Sequence, residues 1–335
     1  MKVVLSLLSA LLFGCAHTPV APIVDVASTV QMEVVEMGML ATKRPSTLNV
    51  WFLKGTCAAL NEKQLCLADT VATNKVVVLS HGAMGSARGL SWLGEKLAAA
   101  GFVVLGINHF EESSIYGKES QDPRATSVIW QRPQDISALL DKLVTKGIFQ
   151  KPVDYANVIA IGHSSGGQTA AMLAGATFDL QQLADYCASS EQSKGDVSCG
   201  YGGNAASAPS SFKKQFSAPQ SDARVKVIVL LDPALGSAAQ VASLRKINIP
   251  ALVVGAENND FLPWKQHGLR YAHEIPNAKM NALKGREGHF VFISACSHQT
   301  KVMGVSLCED RVGVDRKAVQ GAVFESVIAF MRAQG

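Results

Sequence analysis

The 335-residue chain has few charged residues and no cluster of basic ones. Charged residues make up 17% of the sequence, and Lys and Arg outnumber Asp and Glu by only 31 to 27. Nucleic-acid-binding surfaces show as clusters of Lys and Arg, so scattered basic residues predict no nucleic-acid partner. The cysteines lack the C-x-x-C spacing of zinc sites, which predicts no metal site. No internal repeat is apparent, which argues against a repeat architecture.

The N-terminal segment has the pattern of an export signal. Lys2 precedes the apolar stretch Val3 to Phe13, which is shorter than the about 20 residues of a membrane-spanning helix. It ends in Leu12-Phe13-Gly14-Cys15, which resembles a bacterial lipoprotein signal, although Phe13 is bulkier than that motif usually takes. We therefore expect a signal at 1–15, lipidation of Cys15 and a tether at 16–30. The expected location is the bacterial periplasm, with the lipid as membrane anchor; a plain secretory signal is the alternative.

The other six cysteines fall into three local pairs. Six cysteines allow fifteen connectivities, and proximity along the chain favours the pairs Cys57 with Cys66, Cys187 with Cys199, and Cys296 with Cys308. In an oxidising compartment each closed loop contributes roughly 2–3 kcal/mol on the chain-entropy model. The cysteines thus agree with export.

Residues 31–335 alternate between strand-like and helix-like segments. This alternation predicts an α/β fold with a mostly parallel central sheet flanked by helices. The expected strands are Val50–Leu53, Gln64–Leu67, Val76–Ser80, Phe102–Ile107, Val158–Ile161, Val225–Leu231, Ala251–Val254 and Met280–Leu283. The expected helices are Gly89–Ala100, one from Pro133 to about Lys146, one after Gly162, and Gln320–Ala333.

One segment interrupts the alternation. Residues 178–224 are polar, rich in glycine and proline, and contain one cysteine pair. An irregular insertion of this length is unusual in a compact domain unless it is functional or disordered. We interpret it as a small disulfide-pinned cap over the site; a solvated surface loop is the alternative.

The sequence Gly162-His163-Ser164-Ser165-Gly166 has the form G-x-S-x-G. An apolar strand precedes it and a helix rich in alanine follows, which is the context of a nucleophilic serine on a tight strand-to-helix turn. Small residues must flank such a turn so that the backbone can double back. The helix then presents its positive end to the serine. Ser164 is the expected nucleophile; a turn without chemistry is the alternative.

A second loop supports this interpretation. Ser80-His81-Gly82-Ala83-Met84-Gly85 directly follows a buried strand, where serine hydrolases of this type place half of the oxyanion hole. The backbone N–H groups of Ala83 and Ser165 are the expected donors. His81 and His163 are expected to support the backbone of the two loops.

The expected base is His289. It lies in the glycine-rich stretch Gly285-Arg286-Glu287-Gly288-His289, just after the last expected strand, and the base of such enzymes follows the nucleophile in the chain. His267 and His273 lie in a polar, helical stretch and are expected to be exposed.

The acid that orients the base has two close candidates. Asp260 follows the strand Ala251–Val254, and Asp232 follows the strand Val225–Leu231. Either could bond the far imidazole nitrogen and fix its tautomer. We favour Asp260 slightly, with Asp232 as the rival and Glu257 as a third possibility.

As a set, these motifs resemble the dienelactone-hydrolase-like and platelet-activating-factor acetylhydrolase-like branch of the α/β hydrolases. The resemblance covers residues 45–335 and rests on Ser80-His81-Gly82, Arg132-Pro133-Gln134-Asp135-Ile136, Gly162 to Gly167, Gly288-His289-Phe290 and Val314-Asp315-Arg316. It implies an ester hydrolase without a cofactor. The acetylhydrolase branch has its acid at the position of Asp232, and the dienelactone-hydrolase-like branch has it near Asp260. Dienelactone hydrolases themselves use cysteine, so Ser164 argues against dienelactone as substrate.

The expected activity is cleavage of carboxylic esters, with short-chain or lipid-like acyl groups, through an acyl-enzyme. A small-molecule or lipid ester is the expected partner. The alternatives are a thioesterase or an acyltransferase on the same fold, or an anchored binding protein with a degenerate site.

Overall fold

The computed structural model describes residues 29–57, 64–191, 193–201 and 207–334. The expected signal, Cys15 and all but the last two residues of the tether lie outside these ranges. The principal feature is an eight-stranded sheet in the order β1-β2-β4-β3-β5-β6-β7-β8. Its strands are β1 Val30–Met39, β2 Pro45–Leu53, β3 Ala72–Ser80, β4 Phe102–Asn108, β5 Val158–His163, β6 Val225–Leu231, β7 Ala251–Ala256 and β8 Lys279–Leu283.

The sheet is parallel from β4 through β3 and β5 to β8, whereas β1 and β2 run antiparallel at one edge. Strands β5 and β7 are buried at every residue, as continuous apolar runs predict for a parallel sheet covered on both faces. This mostly parallel sheet, with its helices and antiparallel edge, confirms the predicted α/β-hydrolase fold.

Helices cover both faces of the sheet. They are α1 Ser91–Ala99, α2 Gln131–Lys146, α3 Ser165–Leu173, α4 Leu180–Ala188, α5 Ser210–Phe216, α6 Val241–Leu244, α7 Gly268–Glu274 and α8 Arg316–Arg332. Alternate strand residues point to opposite faces: Val76 and Val78 join the core beneath α2 and α3, and Val77 and Leu79 join the core beneath α1 and α8. None of the helices in the described part of the chain is long and apolar enough to cross a bilayer.

Two expectations for the early strands need correction. Strand β1 begins at Val30, where the tether was expected to end, and it was not predicted. As an edge strand it has one exposed side, so its sequence lacks a continuous apolar run. The expected strand Gln64–Leu67 is reduced to isolated bridges from Leu65 and Leu67 to neighbouring segments.

The insertion at residues 178–224 is more regular than its composition suggests. It contains α4, the short 3-10 turn Val197–Tyr201 and α5. Asp179 caps α4 by accepting hydrogen bonds from the N–H groups of Gln181 and Gln182. In its described parts the insertion is therefore a folded unit with two helices, which argues against the alternative of a solvated loop, and its role as a cap over the site stays a prediction.

All three expected disulfides are present: Cys57–Cys66, Cys187–Cys199 and Cys296–Cys308. The second joins α4 to the 3-10 turn inside the insertion. The third closes the loop that carries a two-stranded hairpin, β9 Lys301–Val302 and β10 Val305–Ser306.

Candidate active site

Ser164 lies on the turn between β5 and α3 with φ 57° and ψ −119°. A residue other than glycine is strained at such angles, and strain of this kind is concentrated at functional sites. The close packing explains the flanking glycines: a Cβ on Gly162 would lie 2.0 Å from the Gly166 carbonyl oxygen. A Cβ on Gly166 would lie 1.9 Å from the Ser80 carbonyl oxygen. The turn is therefore built for small residues, and Ser164 itself is only 7% exposed.

His289 begins a 3-10 turn soon after β8, at the carboxyl edge of the sheet. Its Nδ1 lies 2.7 Å from Oδ2 of Asp232, and both side chains are buried. Phe261 stacks on the imidazole, with ring centroids 4.9 Å apart and planes 8° apart. The imidazole is thus fixed by an acid at one nitrogen and by an aromatic ring on one face.

Asp232 follows β6 in a left-handed conformation, with φ 47°. The Ala256 N–H donates to its Oδ1 at 3.2 Å, and the Asn259 side-chain amide donates to its Oδ2. These donors stabilise a carboxylate and hold it toward His289. Of the acids considered from the sequence, Asp232 is therefore the one whose carboxylate contacts the His289 imidazole.

The preference for Asp260 needs correction. Its carboxylate accepts the backbone N–H of His289 at 3.0 Å, and among the described residues no hydrogen bond joins it to the imidazole. Both aspartates lie at the same edge of the sheet, because the carboxyl ends of parallel strands meet there. Spacing along the chain placed both candidates near His289 but held no information about their direction. Glu257, the third candidate, is exposed.

Burial acts in opposite directions on the two members of the His289–Asp232 pair. It lowers the pKa of His289 and raises the pKa of Asp232, since desolvation disfavours whichever form is charged. A neutral His289 is able to accept a proton. Within the described residues no hydrogen bond joins the Ser164 hydroxyl to His289; in free enzymes such catalytic bonds are often long and tighten with substrate.

The loop after β3 lies against the nucleophile. A Cβ on Gly82 would lie 3.4 Å from the Cβ of Ser164. Met84 takes φ 54°, and its N–H donates to Glu112 at 3.1 Å. No such intramolecular acceptor is found for the N–H of Ala83 among the described residues. The arrangement is compatible with the expected donors, Ala83 and Ser165, the latter being the first residue of α3.

His163 and His81 are both buried beside these loops. His163 Nε2 lies 3.1 Å from the carbonyl oxygen of His289, and the two rings are 4.6 Å apart. His81 accepts the His109 N–H at Nε2 and lies 2.7 Å from the Gly82 carbonyl oxygen through Nδ1. Burial lowers the pKa of His163 to about 3 and that of His81 to about 4. Both remain neutral, hydrogen-bonded supports near neutral pH.

His267 was expected to be exposed, and this is wrong. It is 1% exposed, and its Nε2 lies 2.7 Å from Oδ2 of Asp196 in the insertion. His273 is exposed, as expected. Lys265, two residues earlier, is exposed, whereas His267 itself points into the junction with the insertion.

Three residues at the site were not recognised as functional candidates from the sequence: Phe261, Glu112 and Arg132. Arg132 and Glu112 form a buried ion pair beneath the loop after β3. The motif Arg132-Pro133 was noticed as part of a family resemblance, but nothing in its spacing indicated a partner. Glu112 and Phe261 lie in loops, where composition carries no signal for a contact so distant in sequence.

A cavity of about 860 Å³ lies between α4 and the loops that follow β6 and β7, and its lining includes none of Ser164, His289 and Asp232. It is lined by polar residues, namely Asp179, Gln181, Gln182, Asp185, Tyr186, Ser189, Ser237, Lys265, Gln266 and Arg270. The described parts of the chain contain no group of three or more His, Cys, Asp or Glu placed to hold a metal ion.

No protein-family model matches the chain, and no curated protein matches it. Solved structures do match: one is a ferulic acid esterase from Streptomyces cinnamoneus, 18% identical, with a TM-score of 0.48. The match covers 80% of this chain and 77% of that one.

Proposed function

We propose that the protein is a serine hydrolase that cleaves carboxylic esters through a triad of Ser164, His289 and Asp232. The observation that supports this most strongly is the conjunction at one edge of the sheet. A serine in a strained turn, a buried histidine with one nitrogen paired to an aspartate, and a loop with a free N–H all meet there. Each occurs elsewhere in proteins, but together they are the parts of acyl transfer.

The reaction follows from these positions. Nε2 of His289 accepts the Ser164 hydroxyl proton as Oγ attacks the ester carbonyl carbon. The N–H groups of Ala83 and Ser165 stabilise the oxyanion. The imidazolium returns its proton to the leaving alcohol as the C–O bond breaks, which leaves an acyl-serine. Water then attacks with His289 again as base, releasing the acid and free Ser164.

Asp232 acts on His289 throughout this cycle. It holds Nδ1 protonated, so that Nε2 has its lone pair directed away from Asp232. It also stabilises the imidazolium that forms at each step. No cofactor takes part in this proposed cycle.

The substrates we propose are esters of short-chain or lipid-like acids. Ser164 is largely buried, and the nearby cluster of Phe261, Leu262 and Ala234 is apolar. Such surroundings favour an apolar acyl group.

The proposed location is the bacterial periplasm, with a lipid on Cys15 as the anchor. Three disulfides support an oxidising compartment.

The direct test is hydrolysis of p-nitrophenyl acetate and p-nitrophenyl butyrate by the wild type and Ser164→Ala. We expect kcat to fall by at least about 10⁴-fold in the variant, since removal of a nucleophilic serine abolishes the acyl-enzyme route. Ser165→Ala is the matched control, because it removes a neighbouring hydroxyl and keeps the backbone N–H. Wild-type turnover by Ser164→Ala would refute the assignment. Thioester and alcohol-acceptor substrates in parallel distinguish an esterase from a thioesterase or an acyltransferase.

A further inference from the structure

A buried ion pair lies beneath the loop that follows β3. Arg132, in the first turn of α2, is 4% exposed, and Glu112, in the loop after β4, is 2% exposed. Arg132 donates from Nε to Oε1 of Glu112 at 2.7 Å and from Nη2 to Oε2 at 2.6 Å. This is a two-pronged contact, the geometry in which arginine fixes direction as well as charge.

The pair also bonds to the backbone on both sides of Ala83. Arg132 donates from Nη1 to the carbonyl oxygen of His81 at 2.7 Å and from Nη2 to that of Gly82 at 3.3 Å. Glu112 accepts the N–H of Met84 at 3.1 Å. The backbone groups immediately before and after the Ala83 residue are therefore held by one buried unit.

Because the peptide group is planar, these hydrogen bonds also fix the direction of the Ala83 N–H. The Gly82 carbonyl and the Ala83 N–H belong to one peptide group, which is planar and trans, so they point in opposite directions. Arg132 and His81 both bond to the Gly82 carbonyl oxygen. Since the oxygen points toward Arg132, the Ala83 N–H points away from Arg132. The Met84 N–H is already bonded to Glu112, so Ala83 is the residue of this stretch whose N–H is available to a substrate.

Stability alone is a poor explanation for such a pair. The desolvation cost of a buried ion pair often exceeds its attraction, and apolar residues of similar volume are often as stable. Burial opposes ionisation of Glu112, but Arg132 outweighs it and the pKa of that carboxyl lies below its ordinary value. The pair therefore stays charged, and the cost is compensated by the bonds to the loop.

We propose that Arg132 and Glu112 are positioning residues for the oxyanion hole: they hold the Gly82–Ala83 peptide so that its N–H faces the reacting carbonyl oxygen. This rests on the proposed function. Neither side chain touches the substrate in this account, and both act through the backbone of residues 81–84.

The test compares Arg132→Ala, Arg132→Lys and Glu112→Gln with a matched control, Arg224→Ala. Arg224 also bonds in two places to a carboxylate, that of Asp222, and to the backbone carbonyl of Ser137. It precedes β6 and so lies at the opposite edge of the sheet from Ser164. The control thus loses a similar set of contacts far from the proposed chemistry.

We expect kcat for p-nitrophenyl butyrate to fall by about 10²–10³-fold in Arg132→Ala, the loss seen when one oxyanion donor is removed. KM is expected to stay near its wild-type value. Arg132→Lys is expected to be impaired as well, because a lysine keeps the charge but lacks the planar fork. Arg224→Ala is expected to keep wild-type kcat. Millimolar guanidinium is expected to restore part of the Arg132→Ala turnover.

A second readout separates positioning from a general structural role. A trifluoromethyl ketone forms a hemiketal with Ser164, and the oxygen of this hemiketal occupies the oxyanion hole. The affinity of the ketone therefore depends on the direction of the Ala83 N–H. We expect its inhibition constant to rise in proportion to the loss in kcat for Arg132→Ala and Glu112→Gln. If Arg132→Ala does not fold, as judged by near-ultraviolet circular dichroism, Glu112→Gln decides the question.

A folded Arg132 or Glu112 variant with wild-type kcat and inhibition constant would overturn the inference. So would an equal loss in Arg224→Ala. The comparison of the wild type with Ser164→Ala tests the proposed function separately from the Arg132 and Glu112 variants. If the wild type turns over through Ser164 while these variants keep wild-type kcat, the proposed function stands and only the positioning role is removed. A wild type without turnover overturns both.

Discussion

Two buried histidine–aspartate pairs in this protein have the same length and different surroundings. His289 and Asp232 lie 2.7 Å apart at the carboxyl edge of the sheet, and His267 and Asp196 lie 2.7 Å apart at the junction with the insertion. All four side chains are almost completely buried. Distance and burial therefore do not distinguish a base from a structural contact.

The difference lies at the second nitrogen of each ring. Nδ1 of His267 accepts the Gly236 N–H at 3.3 Å, so both of its nitrogens are occupied. Tyr186 and Ser198 also donate to Asp196. His289 has Nδ1 on Asp232, and no hydrogen bond to its Nε2 is found in the described part of the chain. His289 thus differs from His267 in having an imidazole nitrogen without a hydrogen bond among the described residues, and this nitrogen, rather than the contact with an aspartate, distinguishes the proposed base.

The largest expected effect separates the two acids near His289. Asp232→Asn should lower kcat by about 10³–10⁴-fold, because an asparagine at this position no longer stabilises the imidazolium and favours the wrong tautomer. Asp260→Asn is the matched control, since Asp260 contacts the backbone N–H of His289 and the side chain of Arg311, and no hydrogen bond to the imidazole is found in the described part of the chain. Its kcat should fall far less. Steady-state kinetics on p-nitrophenyl butyrate measures both, and the reverse order would return Asp260 to the triad.

The next effect concerns the other pair. Asp196→Asn should lower the free energy of unfolding by about 1.5–3 kcal/mol, since an asparagine amide nitrogen cannot accept all the hydrogen bonds that this buried carboxylate takes from His267, Tyr186 and Ser198. The measurement is urea unfolding followed by circular dichroism. Turnover per folded molecule should change much less than in Asp232→Asn. A loss of turnover comparable to that of Asp232→Asn, in a stable protein, would mean that His267 also takes part in catalysis.

A smaller effect is expected from pH. The pKa values of His81 and His163 are lowered from 6.5 by burial, so the unfolded chain binds more protons below that pH. The contribution of these two histidines to the free energy of unfolding is fully present above pH 6.5. It decreases as the pH falls toward their folded-state pKa values, by on the order of 1–2 kcal/mol per histidine at pH 5. Loss of stability on raising the pH from 5 to 6.5 would contradict this.

Asp196 titrates in a different range. Burial raises its pKa, but His267, Ser198 and Tyr186 outweigh burial and bring it below 3.8. The stability it contributes is present above pH 3.8 and is lost only as the pH falls through the folded-state value. The difference in unfolding free energy between the wild type and Asp196→Asn should therefore stay constant from pH 8 to pH 5. A difference that shrinks within this range would place the titration of Asp196 elsewhere.

Much of the architecture could be predicted because local patterns determine it. The buried parallel strands are continuous apolar runs, and the tight turn at Ser164 is recognisable because it requires Gly162 and Gly166. The position of His289 in the loop after β8 also agrees with the expected last strand. The three disulfides joined cysteines that are near neighbours in the sequence.

The remaining features depend on contacts between distant segments. Asp232 and Asp260 both follow parallel strands, and only the left-handed turn at Asp232 directs its carboxylate to the imidazole. Arg132 meets Glu112 because α2 packs next to the loops after β3 and β4. His267 is buried because the insertion places Asp196 over it. Side-chain direction and docking of this kind leave no periodic signal in a single sequence.

The most direct test of the central claim is the reaction of the protein with a fluorophosphonate, followed by intact-mass analysis and peptide mapping. We predict one phosphonyl adduct per chain, located on Ser164, and no adduct on Ser164→Ala under the same conditions. We also expect much slower labelling of Asp232→Asn than of Asp260→Asn. A wild-type protein that forms no adduct, or forms it on another residue with Ser164 unmodified, would contradict the claim that Ser164 is an activated nucleophile.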